Sequence, residues 1–296
     1  MEFYRLRAFV TVARTGSVTR AANLLHLTQP AVTMQIKAIE DAMGLTLFDR
    51  RPGKMLLTRA GEIVLPKAEA ALAAVRAVTD LAHQVRGDVT GSMSIGTLID
   101  TDLLRLGSLL SNMMDSMPMF KLSTKSGLAG AHMRSVRDGA LAAAFHIGPA
   151  GGALPDSIEV MPLQSVTYCI VAPPAMAGHL ASARWHDVAA LPWIGSPPDS
   201  HVQALIDHTF SLQGLSPRVV IEADELATPQ TLVESGIGLT LLREDVASQA
   251  RQRNELCVWP AVQVPARLAF IHGRRQPEPD TGIARTRKAL QALWGL

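Results

Sequence analysis

Cysteines, aromatic residues and long apolar runs are scarce in this chain of 296 residues. Its two cysteines, Cys169 and Cys257, cannot build a disulfide framework, which favours a reducing compartment. No apolar run reaches the ~20 residues that a membrane-spanning helix needs. No basic start followed by a short apolar segment is present either, so neither a membrane partner nor a secretory signal is expected. We therefore expect the protein in the cytoplasm.

Motifs typical of enzymes are also missing. The sequence contains no G-x-S-x-G elbow, no G-x-G-x-x-G after a predicted strand, no Walker lysine and no H-E-x-x-H pair. Its carboxylates and histidines do not have the spacing that would gather a set of metal ligands. We therefore expect no catalytic residue, no metal and no cofactor. An α/β enzyme stays as an alternative, because open α/β folds host many chemistries.

What the chain does have is positive charge near its N-terminus. Up to Arg59 it carries nine basic and four acidic residues, a balance of +5, whereas the whole chain carries +2. The residues after Arg59 therefore carry −3. This asymmetry favours a nucleic-acid-binding N-terminal part joined to a neutral or acidic domain.

The stretch from Ser17 to Lys37 predicts two helices that meet at a tight corner. Ser17 can cap the first helix and Thr28 the second, in whose first turn Pro30 is tolerated. Spacings of three and four residues give each helix an apolar face, which consists of Ala21, Leu24 and Leu25 in the first and of Ala31, Ile36 and Ile39 in the second. An earlier helix, from about Tyr4 to Arg14, is expected to pack beneath this pair.

The outer face of the second helix carries short polar groups and a cation, which is the surface that a recognition helix needs in the major groove. Two short apolar stretches around a Pro-Gly turn follow Gly44 and predict a hairpin, or wing, with cations near its tip. The alternative for the wing is a solvated basic turn. Base contacts are expected from Gln29, Pro30, Thr33 and Met34. The full set of candidate DNA-binding residues is Ser17, Thr19, Arg20, Thr28, Gln29, Pro30, Ala31, Thr33, Met34, Gln35, Lys37, Arg50, Arg51 and Lys54.

The segment from Leu6 to Gly61 resembles the helix-turn-helix domain of LysR-type transcriptional regulators. The matching residues are Phe9, Ala21, Ala22, Gln29, Pro30, Ala31, Val32, Ile36, Glu40, Gly44, Leu47, Phe48, Arg50, Leu57, Thr58 and Gly61. Thr28 and Thr33 stand where serine is common in the family. The resemblance implies a regulator that binds double-stranded promoter DNA and a small-molecule effector. It also implies a homodimer, with a tetramer favoured, and RNA polymerase as a further candidate partner.

The predicted fold class is α+β multidomain. We expect an N-terminal winged helix-turn-helix domain over 1–58, a long linker and dimerisation helix over 59–88 and a C-terminal two-lobed α/β effector-binding domain over 89–296. The linker helix has a coiled-coil-like seam, made of Leu65, Ala68, Leu72, Val75, Thr79 and Ala82. The alternative for this seam is packing against the chain's own C-terminal domain.

From residue 89 onward, short β-branched runs alternate with helical segments, which predicts parallel sheet. Two open α/β lobes, as in periplasmic binding proteins, would account for the series. Lobe I is expected over about 89–162 and 267–296, and lobe II over about 163–266. The crossovers are placed near Met161–Gln164 and Val264–Arg267. NELCVWPAV and ARLAFIHG are predicted as separate strands, and helices are expected over Asp102–Met114, Ala131–Arg137, His201–Gln213 and Pro229–Glu234.

Ligands of open α/β sheets bind beyond the carboxyl ends of the strands. Applied here, this rule selects the candidate effector-binding residues Thr97, Ile99, Asp100, Thr101, Ser126, Gly127, Phe145, His146, Ile147, Ser196, Ser200, His201, Asp224 and Ile237. Family members often hold an effector carboxylate with a hydroxyl at the start of the first helix, where the local sequence here is Ile99-Asp100-Thr101. Because an aspartate repels a carboxylate, a neutral or amine-bearing effector is at least as good a candidate.

Several alternatives remain open at this stage. The candidate hydroxyls and histidines could serve ordinary turn and cap chemistry. Ala142 and Arg243 also depart from the aspartate and proline that are usual in the family. A redox switch of Cys169 and Cys257 is disfavoured, because both lie in apolar strand-like runs. A DNA-organising protein whose C-terminal domain binds no ligand is the last alternative.

Overall fold

The computed structural model describes residues 2–51, 54–85, 91–223, 229–274 and 281–296. The helices in these ranges are α1 (Phe3–Thr15), α2 (Val18–Leu25), α3 (Gln29–Met43), α4 (Arg59–Val85), α5 (Leu106–Ser116), α6 (Ala129–Arg137), α7 (Ala177–Leu180), α8 (Trp185–Ala190), α9 (His201–Ser211), α10 (Pro229–Glu234), α11 (Glu244–Gln252) and α12 (Gly282–Trp294). The strands are β1 (Phe48–Arg51), β2 (Lys54–Leu57), β3 (Gly91–Thr97), β4 (Phe120–Ser126), β5 (Ala143–Pro149), β6 (Ile158–Ala172), β7 (Pro192–Gly195), β8 (Arg218–Glu222), β9 (Thr240–Arg243) and β10 (Cys257–Gly273).

The N-terminal domain packs α1, α2, α3 and the β1–β2 hairpin around one apolar core. Phe9 of α1 is fully buried and meets Phe48 of β1 edge-on, with ring centroids 5.5 Å apart. The predicted helices are confirmed, but two of the predicted core residues are wrong. Val32, and not Ala31, completes the buried face of α3, and Leu24 is 62% exposed. Burying Val32 places the larger apolar side chain in the core.

Hydrogen bonds to the backbone tie the wing to the helices. Glu40 of α3 accepts from the N–H groups of Leu47 and Phe48, at 2.8 and 3.2 Å. The Met55 N–H of β2 donates to the Gly16 carbonyl at 2.9 Å. β1 and β2 pair antiparallel along their whole length. The predicted hairpin is therefore confirmed up to the two residues of its turn, which lie outside the described ranges.

The predicted linker helix is confirmed as α4, which is 27 residues long and contains Pro66. Its first half packs on the chain's own N-terminal domain, since Ala68 and Leu72 are buried in the same core as α1. Glu69 also pairs with Arg14 of α1, with 2.8 Å between Nη2 and Oε1. Ala68 and Leu72 of the predicted dimer seam therefore pack within the chain, against its N-terminal domain.

The C-terminal part is built on a six-stranded sheet in the order β4-β3-β5-β10-β6-β9. β3 pairs parallel with β4 and β5, whereas β10 runs antiparallel to β5 and β6, and β6 antiparallel to β9. β7 and β8 form a parallel pair that a bridge between Trp193 and Leu239 links to the residue before β9. β6 and β10 are 15 and 17 residues long and run through both lobes, so they are the crossovers.

The strand directions make the carboxyl ends of the two lobes face each other. β5 runs in the same direction as β6, which leads from lobe I into lobe II, and β9 runs the opposite way. The strand ends at Thr97, Ser126 and Arg243 therefore point toward the boundary between the lobes. This boundary, called the cleft below, is where an open α/β sheet binds its ligand.

One strand prediction is wrong. NELCVWPAV and ARLAFIHG do not form two strands, because β10 continues through both segments from Cys257 to Gly273. Pro260 and Pro265 resemble strand breaks in the sequence. Register shifts of the β10–β6 pair between Val258 and Gln263, and again after Leu268, absorb the irregularity without ending the strand.

Several helix starts also differ from the predictions. α5 begins at Leu106 and not at Asp102, because residues 101–105 form turns that end with Arg105 in the left-handed region, at φ 46°. α6 begins at Ala129, two residues before the expected Ala131. α7 and α8, which are 4 and 6 residues long, were not predicted. None of the helices in the described ranges has both the length and the apolarity to cross a membrane.

Candidate DNA interface and effector cleft

α3 presents a polar face to solvent at its N-terminal end. Gln29, Pro30, Met34 and Lys37 are exposed, Met34 by 70%, and Thr33 is partly buried beside them. Positions 30, 33, 34 and 37 have the three- and four-residue spacing of one helix face, opposite the side that enters the core. The face offers an amide, a hydroxyl, a thioether and an ammonium group. These are groups that contact base edges and phosphates in a major groove.

Capping hydrogen bonds fix the two helices that carry this face. Thr28 Oγ1 accepts from the Ala31 N–H, and Ser17 Oγ accepts from the Arg20 N–H, both at 3.4 Å. The predicted caps are therefore confirmed. Thr19 and Arg20 are exposed in the first turn of α2. The corner thus holds short polar side chains on rigid helix starts, as a groove-reading element requires.

The remaining DNA-binding candidates differ in what they expose. Gln35 is partly buried, and its Oε1 has no hydrogen-bond partner within the described residues. Lys54 is exposed at the start of β2. The backbone of Arg50 and Arg51 forms the end of β1, while their side chains lie outside what the structure describes.

On the lobe I side, the cleft begins with a rigid strand end. Thr97 is buried, and its carbonyl accepts from His132 Nε2 and from the Gly127 N–H, each at 3.1 Å. A Cβ on Gly96 or Gly127 would come within 2.8 and 2.9 Å of the His132 ring, so both positions need glycine. Burial lowers the pKa of His132 and favours its neutral form. The ends of β3 and β4 are thereby locked to α6.

On the lobe II side, the candidate hydroxyls are buried. Ser196 and Ser200 are 4% and 1% exposed, and Ser200 caps α9 through its Oγ. The Ser196 N–H donates to Gln203 Oε1 at 2.9 Å. His201 Nε2 lies 3.0 Å from the hydroxyl of Tyr168 on β6. Cap chemistry therefore accounts for Ser200, while His201 and Tyr168 form a polar pair at the N-terminus of α9.

Among the residues that the structure describes, ion pairs and a backbone hydrogen bond cross the cleft. Arg243 at the end of β9 contacts Asp100 after β3, and Arg134 of α6 contacts Asp199 before α9. The Gly130 N–H donates to the Asp199 carbonyl at 2.9 Å. The cation that accompanies Asp100 removes the repulsion that the sequence predicted for an anionic effector, because the carboxylate is already paired.

The other effector-binding candidates divide by exposure. Phe145 and Ile147 are 0% and 2% exposed and belong to the main core of the C-terminal domain. Asp224 lies outside the described residues. The most exposed candidates are Ile99, Thr101, Ser126 and Ile237, and Asp100 is partly exposed.

His146 is the most strongly perturbed histidine of the cleft. Its Nδ1 is buried without a hydrogen-bond partner among the described residues. Burial, with a smaller contribution from the charge of His201, lowers the pKa of His146 to about 4, against a weaker opposing contact with the Ala129 backbone. His146 is therefore neutral at pH 7. It also lines a cavity of about 140 Å³ with Gly148, Leu154 and other residues of lobe I.

The pKa of His146 predicts a pH dependence of stability. Its folded-state pKa, about 4, lies below the ordinary value of 6.5, so the unfolded chain takes up the proton first as the pH falls. The free energy of unfolding therefore decreases as the pH falls from about 6.5 toward about 4. We expect the effector domain to lose about 1.4 kcal/mol more between pH 7.5 and 5.5 than a His146→Gln variant, measured by urea unfolding. Equal losses of stability in the wild type and in His146→Gln would contradict the lowered pKa of His146.

Sequence reasoning assigned no binding role to four residues of the cleft, which are Arg134, Asp199, Tyr168 and Arg243. Arg243 had a signal, because it replaces the usual proline of the family. The others had none, since Arg134 meets Asp199 only when the two lobes come together, and Tyr168 meets His201 only when lobe II folds. Their partners lie 33 to 65 residues away in the sequence.

The alternatives for metal and redox chemistry gain no support. Cys169 and Cys257 are free, and burial raises the pKa of both thiols, which disfavours the reactive thiolate. Among the described residues, no group of three or more histidine, cysteine, aspartate or glutamate side chains is arranged to hold a metal ion.

The fold and its two surfaces define a class of protein: a DNA-binding transcriptional regulator with an effector-binding domain. Residues 3–62 match the family model of bacterial regulatory helix-turn-helix proteins of the lysR family, and residues 86–293 match the LysR substrate binding domain. The chain belongs to the LysR family of transcriptional regulators.

Individual relatives span most of the chain. It is 30% identical to the HTH-type transcriptional regulator CfxR of Cupriavidus necator, over 80% of this chain and 74% of that protein. It is also 30% identical to the regulator IlvR of Caulobacter vibrioides, over 85% of each chain. These relatives are transcriptional regulators and not enzymes by name.

Solved structures show the same fold over the full length. The crystal structure of CbnR, a LysR family transcriptional regulator, covers 99% of both chains with a TM-score of 0.61 at 21% identity. A second structure, of full-length CbnR complexed with its target DNA, has a TM-score of 0.60 over the same share. The predicted architecture of winged helix-turn-helix, linker helix and two-lobed α/β domain is therefore confirmed.

Proposed function

We propose that α3 and the wing read a promoter sequence, and that a small molecule in the cleft changes how paired subunits sit on that promoter. The DNA-binding domain is assigned to residues 1–58, the linker to 59–88 and the effector-binding domain to 89–296. Base contacts are assigned to Gln29, Pro30, Thr33 and Met34. Phosphate contacts are assigned to Thr19, Thr28, Lys37, Arg50, Arg51 and Lys54.

The exposed polar face of α3 is the observation that carries this proposal. It lies on a helix whose other side is anchored by Val32, Ile36 and Ile39, which are at most 1% exposed. A helix anchored in this way can enter a groove without giving up its own packing. The wing beside it adds the cation of Lys54 near the DNA backbone, where charge contributes affinity without much sequence preference.

The effector is assigned to the cleft because strand ends and helix starts of both lobes converge there. A ligand that binds one arrangement of the lobes more tightly than another shifts the population between them. That shift reaches the DNA through α4, since Lys67 of α4 pairs with Asp138 after α6 at 3.3 Å. The candidate effector contacts include Thr97, Asp100 and His201.

We assign the protein as a homodimer whose subunits pair through α4. Two such dimers form a tetramer, and RNA polymerase is a further candidate partner. Ile63 and Val78 of α4 are 67% and 68% exposed, which favours a partner helix that covers them. The seam side chains of Thr79 and Ala82 lie outside the described residues. A two-fold dimer would read two half-sites of one operator.

The experiment that tests the proposal is anisotropy of labelled DNA from just upstream of this protein's own gene. The full-length protein is titrated at several salt concentrations, beside a scrambled duplex of equal length. Tighter binding to the upstream DNA with a steep salt dependence is expected, because base contacts then add to phosphate contacts. Absence of binding to both duplexes at low salt would overturn the assignment of the N-terminal domain.

A further inference from the structure

Contacts across the cleft join two pairs of segments that are far apart in the sequence. Asp100 and Arg243 are 143 residues apart, and Arg134 and Asp199 are 65 residues apart. In each pair, one partner belongs to lobe I and the other to lobe II. The lobes therefore meet in an arrangement, called closed below, that contacts of the chain itself hold together.

The Asp100–Arg243 pair has a rigid half and an accessible half. Arg243 is 20% exposed, and Asp245 in the next helix holds its guanidinium by two contacts, Nε to Oδ1 at 2.5 Å and Nη2 to Oδ2 at 2.7 Å. Asp100 is 42% exposed, and its Oδ1 accepts from the Leu103 N–H at 2.9 Å. Lobe II therefore holds the guanidinium of Arg243 in place, and lobe I contributes the carboxylate of Asp100 from a loop.

The pair joins the loop after β3 in lobe I to the end of β9 in lobe II. Neither side chain belongs to an apolar core, since both are partly exposed. A pair that crosses the cleft stabilises the closed arrangement and disappears when the lobes separate. Its free energy therefore enters the equilibrium between closed and open lobes directly.

We propose that Asp100 and Arg243 form a latch that favours the closed arrangement of the two lobes. This inference rests on the proposed sensing role of the cleft, and it names the two residues that set the response. An effector selects between lobe arrangements that the latch has already biased toward closure. The equilibrium then lies closer to the closed form than it would without the pair, and loss of the latch increases the share of open lobes.

The Gly130 amide is a natural reporter of closure. Gly130 is in the first turn of α6, where an amide has no partner within its own helix. Its N–H donates to Asp199 on the other lobe, so its hydrogen exchange is slowed only while the lobes are closed. The reporter belongs to neither residue of the latch, so substitutions at Asp100 and Arg243 do not change it directly.

The test measures hydrogen exchange at Gly130 in the full-length protein, by mass spectrometry with residue-level fragmentation. The variants are Asp100→Asn, Arg243→Gln and the double variant. Asparagine keeps the acceptor for the Leu103 N–H and removes only the charge. Each single variant is expected to accelerate exchange at Gly130 about two- to fivefold, the range of a partly exposed ion pair. The double variant is expected to match the singles, because the pair acts as a unit.

Glu255→Gln is the matched control, because Glu255 pairs with Arg253 within lobe II and contacts neither residue of the latch. Exchange at Gly130 is expected to stay within about 1.5-fold of the wild type in this variant, a change smaller than the loss of the latch gives. Unchanged exchange in Asp100→Asn, additive effects in the double variant, or equal acceleration in Glu255→Gln would each overturn the latch. DNA binding is not part of this measurement, so failure of the latch is distinguishable from failure of the proposed function.

Discussion

Gln29→Ala is expected to weaken binding to the operator about 5- to 150-fold and to leave binding to a scrambled duplex nearly unchanged, since a bidentate amide contact discriminates bases by about 1–3 kcal/mol. Gln29 is exposed at the first position of α3, where a recognition helix meets base edges. The salt dependence should stay as in the wild type, because no phosphate contact is removed. Anisotropy titrations with both duplexes at several salt concentrations measure the two effects.

Lys54→Ala is the matched control for this prediction. Lys54 is an exposed cation at the start of β2, and its loss should weaken both duplexes by a similar factor. It should also reduce the slope of log K against log salt by about 0.9, the value for one phosphate contact. If Gln29→Ala and Lys54→Ala weaken both duplexes equally, then Gln29 does not read bases and the division of roles is wrong.

The DNA-binding domain could be predicted from the sequence because its signals are local. Ser17 and Thr28 mark helix starts by their own chemistry, and both accept the capping hydrogen bonds that the sequence predicted. The glycine after α1 and the one after α3 have positive φ angles, 63° for Gly16 and 64° for Gly44, and end those helices. Each of these signals acts within four residues, so tertiary structure does not decide it.

The orientation of each helix was harder to predict than its ends. Ala31 and Val32 are both apolar and adjacent, so the periodicity alone leaves a rotation of one residue undecided. The core decides in favour of Val32, which is fully buried. Leu24 fits the apolar spacing of α2 equally well, but the core ends before it and leaves it 62% exposed.

The effector cleft could be predicted only in outline. Strand ends such as Thr97 follow from the alternation of strands and helices, and the structure brings them to the boundary of the lobes as the strand directions require. The ion pairs that cross the cleft do not follow from this alternation. Asp100 finds Arg243 across 143 residues, and no local pattern encodes a contact at that distance. The sequence marked Asp100 only as a candidate effector contact and Arg243 only as a departure from the family pattern.

Gly61→Ala is expected to destabilise the N-terminal domain by about 1–3 kcal/mol and to weaken DNA binding, because the position has no room for a methyl group. A Cβ at Gly61 would lie 2.3 Å from the Leu47 carbonyl oxygen and 2.9 Å from Leu57 Cδ2. The nearer neighbour is backbone, so a side-chain rotation cannot relieve the clash. The same carbonyl accepts from the Thr58 N–H at 3.0 Å, which ties the wing to the start of α4.

The added methyl group must therefore push α4 away from the wing, or the wing away from α3. Thermal unfolding and operator anisotropy measure the two consequences. Gly107→Ala is the matched control, because Gly107 also lies in a helix and a Cβ there would meet nothing within 4 Å. That variant is expected to be unchanged or up to about 1 kcal/mol more stable, since alanine favours helix. If Gly61→Ala unfolds at the wild-type temperature and binds the operator normally, the junction tolerates displacement, and wing position does not depend on this contact.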